Sequence, residues 1–321
     1  MLAGVLFALA AGLMWGLIFV GPLLVPDYPG ALQSVGRYVA FGLIALPLAW
    51  RDRKRLRQLT YSDWIEALKL ALVGNLIYYT CLANAIQRTG APVSTMIIGT
   101  LPVVIAISAN LLYGHHNGRL AWRKLVPVLV LIVLGLGFVN VAEWQQSGQQ
   151  IALLRYLSGI GLAIMAVICW TWYPLRNARW LREHPERKAT TWATAQGLAT
   201  LPLAVVGYAL VSIQLHFSQP AFALPFGPRP GTFIALMAVI GLVCSWLGAL
   251  CWNEASQRLP TVLVGPLIVF ETLAGLAYTF LLRQSWPTLP TLCGIFCLIT
   301  GVIVATRIKP QPVLKKAIIP R

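Results

Sequence analysis

The sequence predicts an all-α polytopic membrane protein, with ten transmembrane helices arranged as two inverted five-helix repeats. Three observations predict it. Of 321 residues, 58% are hydrophobic and 11% charged, where a soluble domain has about 25% charged and 45–50% apolar residues. Ten windows are long and apolar enough to cross a bilayer, which takes about 20 residues each. The second half of the chain also repeats the first.

In order, the windows run 2–21, 30–50, 64–86, 91–112, 126–142, 156–175, 189–213, 231–256, 261–282 and 288–306. The first has no basic n-region and its apolar run is too long for a cleaved signal peptide. The fifth is short and should extend at one end. Trp50, Trp64, Trp122, Trp144, Trp180, Trp192 and Trp286 fall near window ends, where indole rings anchor at the membrane interface.

The formal net charge is +16, from 25 Lys+Arg and 9 Asp+Glu. Placing the N-terminus inside puts 19 of the basic residues in the segments 51–63, 113–125, 176–188, 257–260 and the tail from Arg307. Only Arg88, Arg155, Arg229 and Arg283 fall outside, while Arg37 and Lys69 lie within windows. This is the positive-inside distribution, with both termini cytoplasmic. The excess charge therefore reports threading rather than a nucleic-acid partner. The surroundings expected are a lipid bilayer.

A shift of 155 brings Gly4, Ala8, Ala11 and Trp15 onto Gly159, Ala163, Ala166 and Trp170. The same shift carries Ala40, Gly42, Leu43, Leu46, Pro47 and Leu48 onto Ala195, Gly197, Leu198, Leu201, Pro202 and Leu203. CLANAIQR (81–88) matches CWNEASQR (251–258) at a shift of 170, the difference fitting the long loop at 214–230. The predicted units are 1–142, 156–307 and a cytoplasmic tail at 308–321. Five spans per unit make the second copy enter from the opposite side. Inverted repeats of this kind recur in secondary transporters, with the substrate site near the midplane between the halves.

Ten spans in two such units resemble the drug/metabolite transporter superfamily, in particular the EamA family of bacterial inner-membrane proteins. The matching segments are ALAAGLMWGLIFVGP (8–22), RYVAFGLIALP (37–47), QRTGAPVSTMIIGTLPVVIA (87–106) and GPLIVFETLAGLAYTFLL (265–282). The resemblance covers nearly the whole chain and implies transport more firmly than any one cargo. An acid usual at the end of the fourth span in that family is absent, since the place reads LLYGHH (111–116).

An ionisable residue deep in a span costs at least about 2.5–3.5 kcal/mol and marks function by default. Glu271, central in VFETLAGLAY, has the depth a proton carrier needs, with Gly275 and Tyr278 on its face. The alternative is a protonated or paired Glu joining two helices. Arg37 shares a face with Gln33 and Ser34. That stripe suits an outer vestibule or a bidentate grip on a cargo carboxylate, or Arg37 is the partner of Glu271 or of a helix C-terminus. Lys69 snorkels.

Asn75, Tyr78 and Tyr79 fit i, i+3, i+4 spacing, so all three can face one cavity. The repeat mates Trp15 and Trp170, placed on opposite sides of the midplane, either cap that cavity alternately or simply pack. Pro102 and Pro266 interrupt their spans as helix breaks, serving as hinges or as tolerated kinks. Gly and small residues around 159–166 permit close helix contact.

Six cysteines in apolar stretches read as packing residues, and the four histidines fall in candidate loops, so no metal site is expected. No cofactor is implied. The lack of a GxxxxGK[ST] loop leaves a gradient-driven carrier or facilitator, and no TVGYG-type filter is present. The function this predicts is alternating-access export of small polar metabolites such as amino acids, with protons as candidate coupling ions. Cationic amphiphiles are the alternative cargo, and a non-transporting membrane scaffold the alternative from another class. A membrane enzyme would need His within the spans, and none falls there. No GxxxG stretch stands out for association, leaving the oligomeric state, a homodimer included, open.

Overall fold

The computed structural model describes residues 2–89, 97–112, 121–145, 153–259, 263–284 and 286–308. These are all-helical, with no strand among them. The principal helices are α1 (Leu2–Gly16), α2 (Gly30–Arg51), α3, α4 (Leu101–Leu112), α5 (Trp122–Gln145), α6 (Leu153–Glu183), α7 (Ala189–Ser218), α8, α9 (Val264–Arg283) and α10 (Leu289–Arg307). Two are composite. Helix α3 runs Tyr61–Leu70, widens to a π-helix over Ala71–Ile77 and resumes at Tyr78–Thr89. Helix α8 does the same, with Pro230–Ile240, a π-helix over Gly241–Leu247, and Gly248–Arg258.

Five helices are long and apolar enough to cross a membrane: Gly30–Arg51, Tyr61–Leu82, Leu153–Glu183, Ala189–Ser218 and Pro230–Arg258. Leu2–Gly16, Leu101–Leu112, Leu267–Leu282 and Leu289–Ala305 are shorter apolar helices. Leu43, Leu46, Val205, Val206, Leu210 and Ile213 all face outward, as an apolar solvent requires.

Local chemistry sets several helix ends. Thr60 and Asp63 form a reciprocal capping box at the start of α3, satisfying two N–H groups that have no helical partner. Proline stands in the first turn of α8 and α10, where its missing donor is no loss. Of the two expected helix breaks, Pro102 is the second residue of α4, directly after a turn at Gly99–Thr100 that separates α4 from the helical residues 97–98 of the same span. Pro266 is the third residue of α9, and the residues just before Leu263 lie outside the described ones. Helix α1 stops at Gly16, short of its window, and a 3-10 turn (Leu17–Phe19) follows. Helix α6 outruns its window by two turns, and α7 continues past His216, so that histidine is helical rather than in a loop. The LLYGHH stretch lies beyond the described residues after Leu112.

The halves interleave. Helix α2 packs on α7 and α5 on α10, while α1 packs on α8 and α9, and α6 on α3 and α4. Exchanging the halves (α1 for α6, α2 for α7, and so on) returns the same set of pairs. Helix α1 carries a close-packed stripe that the sequence reading overlooked, Gly12-x-x-x-Gly16. A Cβ at Gly16 would stand 2.8 Å from the Gly275 nitrogen of α9, and one at Gly12 would stand 3.1 Å from that of Glu271. Small residues there let two backbones touch. The stripe is spent inside the chain, not on a second copy.

Candidate functional site

The two π-helices are repeat mates at the shift of 170, ALVGNLI (71–77) against GLVCSWL (241–247). A π-turn widens a helix and redirects its side chains, which is why such turns collect at functional sites. Asn75 and Ser245 occupy the same place in the two copies, and they line one cavity. Around them stand Trp15 and Ala249, Arg37, Tyr38 and Phe41 of α2, Trp170 and Tyr173 of α6, Gln196 of α7, and Cys244. Its free volume is about 20 Å³, room for about one water.

Arg37 is 8% exposed. Its Nε donates to Ser245 Oγ at 2.9 Å, and the guanidinium lies 4.9 Å from the Tyr38 ring and 5.7 Å from that of Tyr79. Such contacts stabilise a desolvated cation by up to about 2 kcal/mol. The ion pairs among the described residues all involve other side chains. Glu271 is within electrostatic reach of Arg37 without touching it, so the two do not form the direct pair held open by the sequence. Nor is Arg37 in an open vestibule. Gln33 is buried and donates to the Val25 and Tyr28 carbonyls at 3.2 and 2.9 Å, and Ser34 is buried with its hydroxyl unpartnered.

The aromatic residues converge. Trp15 and Trp170 meet edge to face with centroids 5.8 Å apart. Trp170 stacks on Tyr78 at 4.6 Å and on Tyr173 at 5.1 Å, and Tyr79 stands edge-on to Tyr38 at 6.4 Å. Trp15 Nε1 donates to the Cys244 carbonyl at 2.8 Å, within the widened π-turn of α8. Asn75 donates to Thr200 Oγ1 at 3.1 Å. Tyr278 goes elsewhere: its hydroxyl donates to the Leu13 carbonyl at 3.1 Å, joining α9 to α1.

Polar clasps close each end of this layer, and α2, about 33 Å long at 1.5 Å per residue, separates them. At one end Asp27 and Arg229 are ion-paired, with the Arg229 backbone N–H donating to Tyr28 Oη at 2.8 Å and Tyr28 donating to the Phe226 carbonyl at 2.9 Å. The Arg229 hydrogen bonds hold the Asp27 carboxyl below its ordinary range. At the other end Glu66 takes a bidentate grip from Arg176, and Thr191 donates to Asp52. Asp63 lies 3.8 Å from Arg187 and 4.0 Å from His184. Each clasp joins one half of the chain to the other.

A buried chain of hydrogen bonds extends from the cavity residues Tyr173 and Gln196. Tyr173 donates to Gln196, Gln196 and Trp192 to Asn177 Oδ1, and Asn177 to Asn253, each at 2.8–2.9 Å. Sequence reading missed Tyr38, Tyr173, Gln196 and Ser245. Of these Ser245 was recoverable, because the shift of 170 takes it to Asn75.

Comparison with known proteins then places the chain. The model of the EamA-like transporter family matches it twice, over residues 2–141 and 157–307, so the duplication is a property of the family. The inner membrane protein YtfF of Escherichia coli (strain K12) is 62% identical over 318 residues, covering 99% of each chain. An uncharacterized transporter, sll0355 of Synechocystis sp. (strain ATCC 27184 / PCC 6803 / Kazusa), is 26% identical over 41% of this chain and 39% of its own. A protein of known crystal structure, 17% identical, superposes with a TM-score of 0.67 over 94% of this chain and 96% of its own. At that identity the likeness is one of fold alone. With two family matches covering nearly its whole length, and a full-length relative in the bacterial inner membrane, the chain belongs to the EamA-like transporter family.

Proposed function

We propose that the chain is a ten-span secondary transporter that moves small carboxylate-bearing metabolites, amino acids among them, by alternating access between two inverted repeats. Export is the direction we assign, with both termini cytoplasmic. The observation that carries the reading is Arg37. A buried charge costs several kcal/mol unless it is paired and hydrogen-bonded, yet among the described residues the partners of Arg37 are a serine hydroxyl and ring faces. A guanidinium with unused donors presents a planar fork to a carboxylate. Asn75 and Gln196 supply neutral polar groups beside it, and the aromatic rings wall off water.

In this reading the small cavity and the two paired clasps correspond to an occluded state. Opening one clasp while the other holds would expose Arg37 to one side at a time. A cationic amphiphile suits this site less well, since Arg37 repels it at close range. Family membership favours transport over catalysis.

Purified protein should be screened by thermal shift against amino acids, nucleobases and organic cations. A substrate stabilises by mass action, so carboxylates should raise the melting temperature and cations should not. Stabilisation by cations alone would overturn the assignment. Proton coupling is assigned in this proposal to Glu271, the acid nearest Arg37 among the described residues. In proteoliposomes the Glu271→Gln variant should lose its response to an imposed pH gradient, and an unchanged response would exclude it.

A further inference from the structure

We propose that the groove between the end of α3 and the start of α6 binds the phosphodiester headgroup of an anionic phospholipid, held by Arg88 and Arg155. The groove has about 570 Å³ of free space and is lined by Asn84, Arg88, Leu154, Arg155 and Ser158, within the usual range for a ligand site. The inference rests on the chain spanning a membrane and is independent of what the central cavity carries.

Three observations support it. The positive-inside distribution leaves four arginines on this side of the chain, and two of the four, Arg88 and Arg155, converge here. The repeat supplies an internal control. Arg258 is the mate of Arg88 at the shift of 170, and it is ion-paired with Glu254 one turn back. At the mate of Glu254 the first half has Asn84, whose amide donates to the Thr80 carbonyl. Arg88 therefore turns to α6 and donates to Ser158 Oγ at 3.1 Å, while that hydroxyl donates to the Arg155 carbonyl at 2.8 Å. Among the described residues that line it, the groove has two guanidinium groups and no acid.

Depth decides the ligand. Arg88 is in the last turn of α3 and Arg155 in the first turn of α6, at the level where apolar helices meet headgroups. Leu153, Leu154 and Leu157 are 72%, 82% and 54% exposed beside them, an apolar track on which an acyl chain can lie. Arginine binds phosphate through paired, planar donors, and basic pockets between membrane helices take lipid headgroups in this way.

The test compares melting of the full chain in nanodiscs of phosphatidylcholine with and without phosphatidylglycerol, and counts retained lipid by native mass spectrometry. Phosphatidylglycerol should raise the melting temperature and remain as a bound adduct. Both effects should be lost in the Arg88→Gln/Arg155→Gln variant and kept in Arg283→Gln, which removes a positive charge elsewhere on that side. Should the double variant fail to fold, Asn84→Glu gives Arg88 the carboxylate that Arg258 has, and should abolish the adduct with both arginines in place. Inorganic phosphate in phosphatidylcholine discs should have no effect. A phosphate-induced shift of equal size would assign the site to a soluble anion and overturn the lipid proposal. So would an unchanged phosphatidylglycerol effect in the double or Asn84→Glu variant, or no effect in the native chain.

Discussion

The Glu66–Arg176 pair is the place to ask which end of the protein is held more firmly. The Glu66 side chain is 7% exposed and that of Arg176 is 38% exposed, with two hydrogen bonds between them. Breaking a fully buried pair by removing one partner costs about 3–5 kcal/mol, while exposed pairs contribute about 0–1 kcal/mol. Solvent at the Arg176 end screens the interaction, which leaves a coupling of about 1–2 kcal/mol, a factor of about 5–30 in an equilibrium. A double-mutant cycle of Glu66→Gln and Arg176→Gln, read by melting in nanodiscs, measures this coupling. In parallel, spin labels at Arg57 and Glu186, one in each half, should report a larger open fraction in Glu66→Gln. A coupling under about 0.5 kcal/mol, together with an unchanged distance distribution, would refute the reasoning that this clasp holds that end shut.

Other consequences follow from the same geometry. At Gly74 an added Cβ would lie 2.5 Å from Cγ of Tyr173, and closer to Cδ2. Gly74→Ala should therefore destabilise by about 1–3 kcal/mol through overpacking and loosen the Tyr173–Gln196 bond, read as a lowered melting temperature. Gly161→Ala, with open space around its Cβ, should be neutral or stabilising by up to about 1 kcal/mol. The Asp27 carboxyl is held below its ordinary value by Arg229. Its contribution is thus fully present above the unfolded carboxyl range and is lost only as pH falls through the lowered folded value. Labels at Pro26 and Gln219 should show that end closed from pH 8 to 5 and opening only in stronger acid, whereas Asp27→Asn should show no acid-dependent step.

How much of this was legible in the sequence depended on the range of the signal. Trp15 and Trp170 announced the repeat because a rare residue recurs in register. The positive-inside count needed only the identity of residues in loops. Arg37, Asn75, Tyr78 and Tyr79 could be marked as candidates because polar groups in apolar helices are conspicuous. What joined them was not local. Asn75 reaches Thr200 and Arg37 reaches Ser245 across the two halves, and helical spacing says nothing about such pairs. Spacing also misled where the helix was not α. The π-turn at Ala71–Ile77 shifts the faces that i, i+3, i+4 counting assigns, although its second copy at Gly241–Leu247 was visible at the shift of 170. Pro102 follows a turn at Gly99–Thr100 inside its span and, like Pro266, stands in the first turn of the helix that follows, where the missing N–H has no consequence.

The most direct test is transport by Arg37 variants in proteoliposomes, using the carboxylate that the thermal-shift screen identifies. Arg37→Lys retains the charge but loses the planar fork. With charge-assisted hydrogen bonds contributing about 1.5–3 kcal/mol, KM should rise by about 10- to 100-fold while the protein remains folded, and Arg37→Gln should raise it further. The account would be contradicted by carboxylate transport in Arg37→Gln with the KM of the native chain.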